Sequence, residues 1–172
     1  MNSIPPVTFT LPEQPARVIL ESQADYSAAI TQLTAVATRS IYLFDRDWQV
    51  PIYESSGWMA QLADWLRANS QRRLVIVLRD IDYASRYGDR LKHLLKQFCD
   101  QIEIRQAESA ALRLSECWML VDDAHFVRKG ESRHPRGALN WHDATGAQTL
   151  NRRWIELIAA SVVAIPATTL GL

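Results

Sequence analysis

The sequence has little cysteine, little histidine and no excess charge of either sign. Its 19 basic and 19 acidic side chains cancel, so bulk charge argues for neither a nucleic-acid nor a membrane surface as partner. A local patch is still compatible with either. The two cysteines, Cys99 and Cys117, lack metal-ligand spacing. They read as small buried hydrophobes of a reducing compartment rather than a disulfide pair. The four histidines show no H-x-H or H-x3-H pattern, so no metal site is expected, and no cofactor is implied. No basic n-region precedes an apolar core at the N-terminus, so no signal peptide is expected. The longest apolar stretch, Leu157 to Pro166, falls short of the ~20 residues a bilayer span needs. Together these absences predict a soluble cytoplasmic protein. Repeats and low-complexity segments are also missing.

What is present suits one ordinary globular domain, since 172 residues with 48% hydrophobic content can bury a real core. Residues 1–16, with four prolines, predict an extended arm, residues 17–165 the domain, and residues 166–172 a tail. Apolar spacing predicts a buried strand at 17–20, a helix over 22–39 and a strand at 40–44. It then predicts a helix over 58–69, an unbroken apolar strand at 74–78, a helix over 83–98 and a strand at 102–105. After that the rhythm changes. Strands at 117–121, 125–128 and 138–141 follow with no helix between them, and a last helix covers 148–163. Trp58, Trp65 and Trp154 fall at helical spacing and read as core. The order β-α-β-α-β-α-β-β-β-β-α predicts an α/β fold, with a mixed, mostly parallel sheet flanked by helices on both faces.

In such sheets ligands bind beyond the C-terminal ends of the parallel strands. Charge directly follows an apolar strand three times: Asp45, Arg46 and Asp47; Arg79 and Asp80; Asp122 and Asp123. Polar turns at strand ends explain this as well as a binding rim does.

The strings SIYLFDRDW, LVIVLRD, CWMLVDD and GALNW, in that element order, resemble one half of the phospholipase D superfamily. The resemblance runs over about residues 17–165. It implies the signature H-x-K-x4-D followed by G-S-x-N, in which histidine attacks phosphorus and lysine neutralises phosphate oxygens. It also implies halves paired about a two-fold axis, and so a homodimer for a chain holding a single half. With Asp122 as the motif aspartate, Ser115 stands in the histidine position and Cys117 in the lysine position. With Asp123 they are Glu116 and Trp118. Gly137 and Asn140 match G-x-x-N, but Ala138 replaces the serine. The scaffold is retained and the inherited chemistry is not, which suggests a pseudoenzyme.

Two other groups offer chemistry. His125 reads either as a displaced nucleophile or as a half-exposed turn histidine bonded to Asp122 or Asp123, and the second reading is preferred. Arg128, Lys129, Arg133 and Arg136 lie within nine residues, and Arg46 and Arg79 are expected nearby. Arginine forks bind phosphate, and Trp48 and Trp141 could stack on a base or sugar. Against that, the acids at the same rim could pair Arg46 and Arg79 internally. The expected ligand set is therefore Arg46, Asp47, Trp48, Arg79, Asp80, Asp122, Arg128, Arg136, Asn140 and Trp141, facing a phosphorylated or other anionic ligand. The alternative is an active phosphodiesterase or phosphatidyl-transfer enzyme working through His125.

Overall fold

A computed structural model describes residues 9–167. Eight strands form a single sheet: β1 (Ala16–Leu20), β2 (Ser40–Asp45), β3 (Arg73–Leu78), β4 (Ile102–Ala107), β5 (Cys117–Val121), β6 (His125–Lys129), β7 (Gly137–Trp141) and β8 (Ser161–Val163). The helices are α1 (Gln23–Val36), α2 (Ser56–Ala68), α3 (Asp82–Tyr87), α4 (Asp89–Gln97) and α5 (Ala144–Ala159). A 3-10 turn covers Ser109–Arg113.

The spatial order is β1-β7-β6-β5-β2-β3-β4-β8. Only the β2–β3 and β3–β4 pairs are parallel, and the remaining five ladders are antiparallel. The fold class is the expected one, but the sheet is mostly antiparallel. The reason is connection length. Helical crossovers join β2 to β3 to β4, whereas the links from β5 to β6 to β7 are too short for anything but reversal. These hairpin strands stand between β1 and β2, so α1 carries the chain across them. The predicted final helix stops at Ala159, and residues 161–163 become β8 against β4.

Side chains alternate cleanly between the two faces. On one face Ile41, Leu43, Ile76, Met119, Val127 and Leu139 pack beneath Tyr26, Ile30 and Leu33 of α1, Leu62 and Trp65 of α2, and Leu91 of α4. On the other, Phe44, Val77, Trp118, Leu120 and Phe126 meet Leu150, Trp154 and Leu157 of α5. Three buried tryptophans, Trp58, Trp65 and Trp154, take the expected core positions. Helix starts follow local chemistry. Ser22 and Asp25 form a capping box at α1, Ser55 caps α2, and Asp143 caps α5.

Three local expectations differ. The first strand was expected to be buried, but it is an exposed edge, with Ile19 59% exposed. Cys99 is exposed, because it lies past the end of α4 rather than within it; Cys117 is buried. Phe9 and Leu11, expected in an arm outside the core, pack against it.

Candidate functional site

Strand direction divides the charged side chains between two opposite edges of the sheet. β2 and β3 end where β5 begins and β6 ends, so Asp45, Arg79, Glu116 and Lys129 share one edge. The turn after β5 lies at the other edge, beside the start of β2. Asp122 was expected at the rim with Asp45 and Asp80. Because β5 runs against β2, it lies across the sheet from them.

At that far edge Asp122 does structural work. Its carboxylate accepts from the backbone N–H of Thr38 (2.7 Å), Arg39 (2.7 Å) and Ser40 (2.9 Å), and from the Thr38 hydroxyl (2.9 Å). His125 follows the turn and is buried rather than half-exposed. Its Nδ1 accepts from the His142 backbone N–H at 3.0 Å, not from either aspartate. Burial, and then the neighbouring His142, hold its pKa below the usual histidine value. Four residues of strand, roughly 13 Å, separate His125 from the Lys129 end of β6.

The near edge holds a cleft of about 140 Å³ lined by Arg46, Arg79, Ser115, Glu131, Ser132 and Arg133. Hollows of about 420 Å³ along β4 and about 340 Å³ between α2 and α4 are larger, but they lie away from the strand ends where charge converges. Arg46 reaches Asp47 at 3.7 Å and keeps 41% of its side chain exposed. Arg79 lies over the Phe44 ring and donates to the carbonyls of Leu114 and Ser115. Burial lowers its pKa, but a guanidinium stays charged at neutral pH.

Directly under the cleft is a buried polar layer. Asp45 is fully buried and accepts from the Tyr53 hydroxyl (2.6 Å), the Arg46 backbone N–H (2.6 Å) and the Ser132 hydroxyl. Burial raises its pKa, and those hydrogen bonds together with the nearby Lys129 charge oppose the rise. Tyr53 bonds Tyr26, hydroxyl to hydroxyl, at 3.1 Å. Burial pushes both phenols well above their ordinary value. Lys129, 1% exposed, donates to the Ser132 carbonyl at 2.7 Å and lies 4.2 Å from the Tyr26 ring centroid. Its ladder partner is Cys117. Burial pushes the Cys117 thiol up to about 12, so at neutral pH it is neither a nucleophile nor a charge.

The expected ligand set therefore disperses. Arg46 and Arg79 line the cleft. Asp47 is at the same end but accepts from Gln49, and Asp80 accepts from the Asp82 N–H at the start of α3. Trp48 is buried, stacked on Tyr53 at 4.7 Å and bonded to Glu54, so its face is not available to a base. Trp141 is buried at the far edge and stacks on Phe9. Arg128 and Asn140 point to the α5 face, since they alternate with Lys129 and Leu139. There Arg128 joins Arg153 in holding Glu116, with an Arg128–Glu116 separation of 2.6 Å. Arg136 is exposed at the near edge, outside the cleft lining.

No local pattern marks Tyr26, Tyr53 and Ser132 as members of a polar layer with Asp45, because each belongs to a separate segment and only the fold joins them. Lys129 left a trace, since strict alternation along HFVRK puts it on the buried face with Val127. Among the described residues, no group of three His, Cys, Asp or Glu side chains could hold a metal ion.

The model of a family described as "Domain of unknown function (DUF7931)" matches residues 22–163. No curated protein matches the chain. Among solved structures, the phospholipase D family member Nuc from Salmonella typhimurium is 12% identical. The match covers 88% of this chain and 99% of that one, with a TM-score of 0.60. Phosphatidylserine synthase from Haemophilus influenzae is also 12% identical, with a TM-score of 0.59, over 92% of this chain and 41% of that one. TrmBL2, an archaeal chromatin protein described as showing a novel mode of DNA binding, is 10% identical with a TM-score of 0.62, over 92% of this chain and 57% of that one. The chain thus spans nearly all of Nuc and about half of the other two. At these identities the likeness is one of fold, and the fold is phospholipase D-like.

Proposed function

The chain belongs to the DUF7931 family, and from that premise and its phospholipase D-like fold we propose that it is a non-catalytic binding module for a phosphorylated or otherwise anionic ligand. One observation carries this reading: the cleft at the strand ends is lined by three arginines, Arg46, Arg79 and Arg133, beside Ser132 and Ser115, the residue that stands in the motif-histidine position when Asp122 is taken as the motif aspartate. Arginine forks donate paired hydrogen bonds to phosphate oxygens, while a serine without a neighbouring base is a poor nucleophile toward phosphorus. Glu131 is a single carboxylate against three guanidinium groups. His125 at the far edge is out of reach of this cleft, which weakens the alternative of a relocated catalytic histidine. The phospholipase D halves that the chain resembles pair about a two-fold axis, which further suggests a homodimer.

Calorimetric titration with inorganic phosphate tests the reading, together with a turnover assay on bis(p-nitrophenyl) phosphate. Saturable phosphate binding is expected, weakened at least ~10-fold in the double variant Arg46→Ala/Arg133→Ala, with no turnover above background. Phosphodiester hydrolysis at enzyme-like rates, abolished by His125→Ala, would refute it.

A further inference from the structure

The cleft-lining arginines do not all act as free charges. Arg46 leans on Asp47, and Arg79 is spent partly on two backbone carbonyls. The unusual charge is underneath. A lysine at 1% exposure is rare, because an ammonium out of water needs compensation. Lys129 is compensated only in part by a carbonyl and an aromatic face, neither of which cancels a unit charge. Asp45, the nearby carboxylate, offsets part of that charge through space while it accepts three hydrogen bonds from neutral donors. The Ser132 carbonyl that Lys129 grips belongs to a cleft-lining residue, and the hydroxyl of that same residue holds Asp45. One residue of the cleft floor is thus tied to a buried cation on one side and a buried acid on the other.

We propose that Lys129, one hydrogen bond beneath the cleft, supplies a field that makes the site favour a doubly charged phosphate monoester over a singly charged phosphodiester. This rests on the anion-binding reading above and names its ligand class. The field of a buried charge is screened far less than that of a surface arginine. Its effect grows with ligand charge, so the fold-gain it gives a monoanion is squared for a dianion. The cleft, about 140 Å³, has room for a phosphate group. Lys129 acts here as a positioning and electrostatic residue without touching the ligand.

The test compares binding of inorganic phosphate and dimethyl phosphate at pH 8 to the full chain, to Lys129→Met and to Asp45→Asn. Lys129→Met keeps the shape of the side chain and removes its charge. It should weaken dimethyl phosphate about 5-fold and phosphate about 25-fold, the square of the first factor. Asp45→Asn should move both affinities upward, again more for phosphate. It keeps the idea testable if Lys129→Met does not fold. Equal losses for the two anions would mean that Lys129 only shapes the loop, and unchanged affinities would mean that its charge is not felt; either result overturns the inference and leaves the anion site standing. If the unaltered chain binds neither probe, the anion site itself is refuted.

Discussion

Asp122 shows how one turn side chain can organise the start of a neighbouring strand. With φ at 53° it adopts a left-handed conformation, as does Asp123 at 56°, and two successive positive φ values are the mark of a type I′ turn. From there its carboxylate closes off three backbone N–H groups ahead of β2, which no other local group serves in the same way. Asp122→Ala should therefore cost about 2–3 kcal/mol in chemical denaturation, and Asp122→Asn roughly half that, since asparagine tolerates the turn and keeps an acceptor. A loss below about 0.5 kcal/mol for the alanine variant would remove this role. Asp45 gives a prediction in pH. Its pKa in the folded chain is raised above 3.8, so the unfolded chain releases that proton first as pH rises. The stability contributed by the protonated carboxyl is complete below about pH 3.8 and is lost as pH climbs through the folded value. Asp45→Asn does not titrate, so its melting temperature should gain on that of the unaltered chain between pH 4 and pH 7. A variant that instead loses ground on the unaltered chain over that range contradicts a raised pKa.

Among the elements, the segment after β3 departs most usefully from expectation. Its apolar spacing describes one helix, yet it folds as α3 and α4, broken at Gly88 with φ −81° and ψ 50°. A Cβ at this position would meet the Ala84 carbonyl oxygen at 2.4 Å, closer than carbon and oxygen can approach. The break lets α4 start where Glu54 can receive it. The Glu54 carboxylate accepts from the backbone N–H groups of Arg90 and Leu91, each at 3.1 Å, and from the Trp48 indole at 2.8 Å. An acidic side chain at a helix N-terminus is favourable, and this one also anchors the long loop after β2. Gly88→Ala should destabilise by about 1–3 kcal/mol through this clash, measured as a shift of the urea midpoint at constant slope. A neutral result would mean that the break tolerates a side chain.

At the scale of the whole molecule, the sheet separates two kinds of polar cluster. One edge carries Asp122, His125 and His142, whose bonds close the ladder and the approach of the N-terminal segment, with the His142 ring 2.6 Å from the Pro12 carbonyl oxygen. The opposite edge carries the cleft and the polar layer beneath it. Among the described residues no helix is long and apolar enough to cross a membrane. Both outer strands show exposed aliphatics, Val18 and Ile19 on β1 and Val162 and Val163 on β8, and unpaired strand edges invite association. A homodimer in solution is the expectation that accompanies the half-domain reading. Sedimentation equilibrium should return twice the chain mass, and a monomer at micromolar concentrations would remove it.

The sequence by itself determined the fold class and most of the elements, β8 and the division of α3 from α4 excepted. Burial of one face writes a period of 3.6 into the helices, and burial of both faces writes unbroken apolar runs such as LVIVL and CWMLV, without help from distant partners. It also showed that, with Asp122 taken as the motif aspartate, Ser115 and Cys117 stand where the resemblance would place a histidine and a lysine. Strand direction was decided by the tertiary structure, and with it the side of the sheet on which each charge lies. That is why Asp122, Trp141 and His125 moved away from the expected rim, and why Arg128 and Asn140 turned to the α5 face. The buried layer of Tyr26, Asp45, Tyr53, Lys129 and Ser132 likewise exists only once four separate segments meet at one strand end. A contact between residues 87 positions apart, as between Asp45 and Ser132, leaves no mark on the local pattern of either.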